Sequence, residues 1–112
     1  MLFKEYKVED IFKITKLYTL FEDSFPGGYE FSGEAHDFWE CVYVKEGTAT
    51  ICASDKIYKL EKGDIIFHKP LEFHKYNIEK YSFAELFIFS FSLEGKNTKF
   101  FEDKGFKLND RQ

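Results

Sequence analysis

A chain of 112 residues has room for one domain built on one core. Its 44% hydrophobic and 32% charged residues exclude disorder and collagen-like repeats, and its longest apolar run, Phe83 to Phe91, is about half the roughly 20 residues a membrane helix needs. A net charge of −4 and a single arginine, Arg111, leave no guanidinium fork to grip phosphates or read guanines, so these residues do not bind nucleic acid by themselves. Aromatics are abundant (15 Phe, 7 Tyr, 1 Trp) while alanine stands only at positions 35, 49, 53 and 84, a bias toward strands. The expected fold class is all-β.

Charges at Lys4, Glu5, Lys7, Glu9 and Asp10 interrupt any apolar stretch that a secretory signal would need, and the expected location is cytoplasmic. Turn signals then recur at Pro26-Gly27-Gly28, Gly33, Glu46-Gly47, Ser54-Asp55, Lys62-Gly63-Asp64, Pro70, Glu79-Lys80 and Glu94-Gly95-Lys96. Short strand-like runs lie between them, the rhythm of a sandwich or small barrel. Phe38 to Val44 and Ala49 to Ser54 are expected to form a hairpin about Glu46-Gly47, with Cys41 facing Cys52 and Glu40 facing Ala53. One face of this hairpin holds Trp39, Cys41 and Tyr43 with Thr50, Cys52 and Ser54. The other holds Glu40, Val42 and Val44 beside Ala49, Ile51 and Ala53, where the small alanines either leave room for a ligand beside the carboxylate or merely relieve crowding. In a cytoplasmic protein the two cysteines are expected to be reduced.

Three histidines are present. His36 and Glu40 stand in Gly33-Glu34-Ala35-His36-Asp37-Phe38-Trp39-Glu40, and His74 stands eleven residues after Gly63. On a straight strand His36 and Glu40 would be roughly 13 Å apart at about 3.3 Å per residue, so a bend near Asp37-Phe38 is required before they can share a ligand. Two imidazoles with one or two carboxylates suit iron, manganese, zinc or nickel. The same residues also suit a metal-free ligand contact or a structural polar cluster. His68, between an apolar run and Lys69-Pro70, reads as a strand-end residue. Phe87, Phe89 and Phe91 alternate with Leu86, Ile88, Ser90 and Ser92 in a core strand. Trp39 and Tyr43 offer a second sheet contact or a dimer surface. The lysines at 45, 56, 59, 62 and 69 sit near turns and strand ends, where they solvate the surface and protect edges. No phosphate-cradling glycine loop, Ser-His-Asp order or Cys-His nucleophile is present.

The spacing His36, three residues, Glu40, six residues, Gly47, followed by Gly63-Asp64, an apolar strand, Pro70 and His74, resembles the paired motifs of the cupin superfamily. That resemblance implies a small barrel of the double-stranded β-helix or jelly-roll type and, where such proteins bind metal, a divalent ion on His36, Glu40 and His74. The chain departs from the metal-binding pattern at Glu34, where those cupins carry another histidine, and at Leu71-Glu72, where a glycine usually follows the proline. Tyr29 to Glu40, Gly63 to His74, and Phe100-Phe101-Glu102 with Phe106-Lys107-Leu108 together resemble, in order, the amino-terminal sensor domain of AraC-type transcriptional regulators. The likeness implies a ligand-sensing domain that takes a small molecule, in many cases a sugar, against Glu34, His36, Glu40 and His74. Expected partners are that effector and a second copy of the chain in a homodimer. DNA enters only through a carboxy-terminal helix-turn-helix domain absent from these residues, and no membrane is involved. Residues 1–112 are expected to form a single domain: 1–27 an arm and first strands, 28–93 the barrel with both motifs, 94–112 a trailing segment toward the missing domain. The competing expectation is a stand-alone metal-dependent cupin enzyme, an isomerase or dioxygenase. A third is a ligand-free dimerisation module.

Overall fold

In the computed structural model, which describes residues 12–95 and 105–108, every regular element is a β-strand, as the composition leads one to expect. In chain order these are β1 (Phe12–Pro26), β2 (Glu30–Glu34), β3 (Trp39–Ala53), β4 (Lys56–Glu61), β5 (Asp64–His68), β6 (His74–Asn77), β7 (Phe83–Gly95) and β8 (Gly105–Lys107). All pairings are antiparallel. One sheet runs β1-β7-β3-β5-β8, and a second, with β2, β6 and β4, is joined to the first by β3. Part of the expected amino-terminal arm and the Phe100-Phe101-Glu102 block lie outside the described residues. Phe106 and Lys107 belong to β8, which pairs with β5. Among the described residues no helix is long and apolar enough to cross a membrane.

β3 carries the architecture because it belongs to both sheets. From Trp39 to Gly47 it pairs with β7 and, over Glu40 to Tyr43, with β5. From Thr48 onward it pairs with β4, and from Thr50 with β6. The hairpin expected at Glu46-Gly47 is therefore not formed: the strand continues through these residues, and the reversal comes at Ser54-Asp55, leading into β4. Gly47 serves a close crossing instead of a turn. Its φ is +80°, and a Cβ there would lie 1.9 Å from the Phe83 carbonyl oxygen, so no larger residue fits. Cys41 consequently sits opposite Phe67 and Phe89, Cys52 opposite Ile57 and Lys75, and both cysteines are free.

The inward set on β3 is nonetheless the one expected. A register shift between Val44 and Glu46 changes the parity of the inward positions, from Glu40, Val42 and Val44 to Ala49, Ile51 and Ala53. A chain reversal at the same place would have changed it in the same way. Along β7 the inward residues are Ala84, Leu86, Ile88 and Ser90. Val42, Val44, Ile51, Leu60, Ile66, Ile78, Leu86 and Ile88 form the interior, and each such side chain removed from water contributes roughly 1.5–3 kcal/mol. A second layer lies on the opposite face of the first sheet, where Trp39, Cys41 and Phe91 are buried among Ile65, Phe67, Phe89 and Leu93. The phenylalanines of β7 therefore pack outside the barrel, not within it.

Candidate functional site

Four side chains from separate segments meet at one end of the interior. β2 delivers Glu34 after a register shift next to Gly33, whose φ of +109° and tight approach to the Phe73 ring suit glycine alone. Residues 35–38 then leave the sheet, which supplies the bend that His36 and Glu40 require. The backbone N–H of Leu71 donates to the His36 carbonyl at 2.6 Å, pinning this bend to the turn after β5. β3 presents Glu40, and β6 opens with His74, which is paired with both Glu34 of β2 and Ala53 of β3. Ala53 is thus the small residue beside the site, although it faces His74 and not Glu40. Glu40 itself pairs with His68 and Ser90.

The geometry is that of converging ligands. Nε2 of His36 lies 3.5 Å from Glu34 and 3.7 Å from Glu40, and Nε2 of His74 lies 3.4 Å from Glu34 and 2.9 Å from Glu40. One donor atom from each of the four residues falls within 4.8 Å of all the others. Both rings are oriented from behind: Nδ1–H of His36 donates to the Phe38 carbonyl at 2.9 Å and Nδ1–H of His74 to the Glu72 carbonyl at 3.1 Å. A carbonyl oxygen only accepts, so each uncharged ring carries its proton on Nδ1 and turns an Nε2 lone pair toward the carboxylates. Both Nε2 atoms are buried and without a hydrogen-bond partner. His36 is also stacked on Phe38, with ring centroids 3.9 Å apart and planes within 7°.

Glu40 and His74 shift each other's titration in opposite directions. Burial by itself raises the Glu40 pKa, but His74, His68 and His36 outweigh it and leave the carboxyl below its ordinary value. Burial lowers the His74 pKa, and Glu40, the Glu72 carbonyl and Glu34 more than offset it, leaving the imidazole above its ordinary value. His68 shows the opposite balance. Desolvation dominates, with His74 adding repulsion, and holds it below the usual imidazole range despite Glu72 and Glu40.

Residues that spacing alone passed over surround this cluster. His68 ends β5 as expected, and it is buried there, stacked 4.2 Å from His74 with planes within 6°, its Nδ1–H donating to the Glu72 carboxylate at 3.3 Å. Glu72 therefore serves His74 through its carbonyl and His68 through its side chain. The inward parity of Ile66 and His68 on β5 was the signal that could have found it. Beside the cluster opens a cavity of about 260 Å³ walled by Phe21, Phe31, Tyr76 and Ile88, with Glu34 and Glu40 on one side. Thr19 also borders it and is hydrogen-bonded to Ser90.

This arrangement has relatives of known fold. A predicted oxalate decarboxylase from Thermotoga maritima superposes with a TM-score of 0.65 at 18% identity, covering 69% of this chain and 68% of that one. A cupin protein from Bacteroides fragilis gives 0.60 at 16% identity, covering 74% and 73%. The polyketide cyclase RemF from Streptomyces resistomycificus gives 0.61 at 16% identity, covering 69% of this chain and 56% of the cyclase. At such identities the likeness is one of fold, and the fold is that of the cupins. No protein with a curated description matches the sequence. The profile of the AraC-like ligand binding domain matches residues 20–99, well over half of the chain. The chain therefore belongs to the AraC-like ligand binding domain family, on a cupin fold.

Proposed function

We propose that these residues are the effector-sensing part of an AraC-type transcriptional regulator. A small molecule enters the cavity beside Phe21, Phe31 and Tyr76 and is held at its polar end by Glu34, His36, Glu40 and His74. The single observation that carries this reading is the convergence of those four side chains beside a cavity of about 260 Å³ in a chain of this family. DNA contact belongs to a helix-turn-helix part outside these residues, consistent with a net charge of −4 and one arginine. Coupling requires that the effector prefer one of two states of the arm or interface that joins the two parts, with a homodimer as the assembly in which those states differ. A thermal-shift panel of sugars, organic acids and amines tests the reading. At one hundred times its Kd a specific ligand stabilises by about 2.7 kcal/mol, a shift of several degrees for a domain of this size. At least one class is expected to raise the Tm of the wild type and to leave Glu40→Gln unmoved; a flat response across all classes overturns the reading.

A second reading, a metal-dependent cupin enzyme, is favoured by one feature: two buried Nε2 lone pairs with no hydrogen bond, aimed at two carboxylates. This donor set of nitrogen and carboxylate oxygen fits iron, manganese, zinc or nickel. His36, Glu40 and His74 would hold the ion, with Glu34 or water completing the set, and the ion would polarise an oxygen of a bound substrate. Metal analysis of purified protein separates the readings. Stoichiometric metal that is lost in the His36→Ala and His74→Ala variants, together with turnover of a substrate, supports the enzyme; metal-free protein that still answers an effector supports the sensor.

A further inference from the structure

We propose that the effector is a small organic cation, a primary amine, seated with its ammonium among Glu34, Glu40 and the His74 Nε2 and with its carbon skeleton against Phe21, Phe31 and Tyr76. This names the ligand class of the site described above and rests on the sensor reading.

Charge points first to a cation. Among the described residues the cavity lining carries two carboxylates and no lysine or arginine. An anionic effector would meet like charge. A neutral polyol would satisfy the acceptors but leave the carboxylate charge uncompensated as it displaced water.

Hydrogen bonding points the same way. His74 is 1% exposed, and its Nε2 has no hydrogen bond although it lies within 3.4 Å of both carboxylates. With Nδ1–H committed to the Glu72 carbonyl, the uncharged ring can only accept at Nε2, and the carboxylates only accept. A site made of acceptors calls for a ligand end made of donors. An ammonium has three N–H donors and no acceptor, and it finds three acceptors here. Beside Thr19 and Ile88, the remaining walls are the rings of Phe21, Phe31 and Tyr76, whose faces attract cations while their area removes the carbon skeleton from water. A volume of about 260 Å³ leaves room for a compact skeleton of the cyclohexylmethyl size.

Isothermal titration of the 112-residue chain, after dialysis against a chelator, tests this with three probes of nearly one shape: cyclohexylmethylamine, cyclohexylmethanol and cyclohexanecarboxylate. Galactose and manganese(II) alone complete the panel. The amine is expected to bind at least about tenfold more tightly than the alcohol, and the carboxylate not at all. Glu34→Gln, at a half-exposed position that leaves the fold intact, is expected to weaken the amine about tenfold without affecting the alcohol, and Phe31→Leu to weaken it several-fold while preserving apolar volume. Equal or tighter binding of the alcohol or the carboxylate overturns the proposal, as does an amine affinity untouched by both variants. Binding of manganese(II) without the amine overturns it in favour of an inorganic ion. Binding of galactose without the amine overturns the cation while leaving the sensor reading standing, and silence from every probe removes both.

Discussion

The two ends of the barrel interior are built by the same strands and have opposite chemistry. At one end β3, β5 and β7 place Glu40, His68 and Ser90 side by side; two residues further along, the same strands place Val42, Ile66 and Ile88 side by side. β6 makes the same change from His74 to Tyr76. One step of the pleat separates a layer of ionisable side chains from an apolar layer, of which Ile88 and Tyr76 also reach the cavity wall. The lesson is that polarity at Glu40 and His68 is not a tolerated defect of a core. It is confined to one layer, backed at His68 by the Glu72 carboxylate, and adjoins the cavity.

Perturbations should separate the two ends. The largest effect is expected at Gly47, outside both, where the left-handed backbone and the Phe83 carbonyl leave no room for a side chain. Gly47→Val should yield no soluble folded protein, and a cooperative melt by circular dichroism would contradict the packing described for β3. Leu86→Ala, at the aliphatic end, should cost about 2–5 kcal/mol in urea unfolding while leaving effector affinity unchanged. Glu40→Gln should reverse that pattern: about tenfold or more in effector affinity by titration, with a smaller loss of stability than Leu86→Ala. If Glu40→Gln proves the more destabilising of the two, the division between the ends fails.

Protons sharpen the contrast within the polar layer. His68 has a folded pKa below its unfolded value, so stability is lost as pH falls from about 6.5, where the unfolded chain takes up a proton that the folded chain refuses. His74 has a folded pKa above its unfolded value, so its contribution is complete below about 6.5 and is lost as pH rises through the folded pKa. Glu40 contributes above about 4.5 and its share is lost as pH falls through its lowered folded pKa. Urea midpoints against pH should therefore lose their acid-side slope near neutrality in His68→Phe and their alkaline-side slope in His74→Phe. Identical profiles would contradict the opposite environments of two stacked rings. The smallest effect is expected at the exposed Lys45–Glu22 pair, where Lys45→Ala should move neither the urea midpoint nor effector affinity.

Much of this was legible in the sequence, for reasons that can be traced. Aromatic and β-branched runs punctuated by glycine announced strands, and the cupin-like spacing of His36, Glu40, Gly47, Gly63 and His74 picked out side chains that the fold brings together. The inward face of β3 was also legible, though through a hairpin that does not exist, because a bulge and a reversal alter parity alike. The cavity walls Phe21, Phe31 and Tyr76 were not legible. They come from β1, β2 and β6, and their meeting depends on long-range register, including two register shifts within β1, that no local pattern announces. His68 and Glu72 were passed over because their partnership runs through a turn in which Leu71 has positive φ.

The measurement that bears most directly on the central claim is the ring ¹⁵N spectrum of the three histidines, at mildly alkaline pH, with and without a bound effector. His36 and His74 should both carry their proton on Nδ1, with unprotonated Nε2 signals that move on binding while the Val42 and Leu86 methyl signals stay still. Nε2–H protonation in both rings, or a ligand that shifts the aliphatic end and leaves the two histidines unchanged, would contradict it.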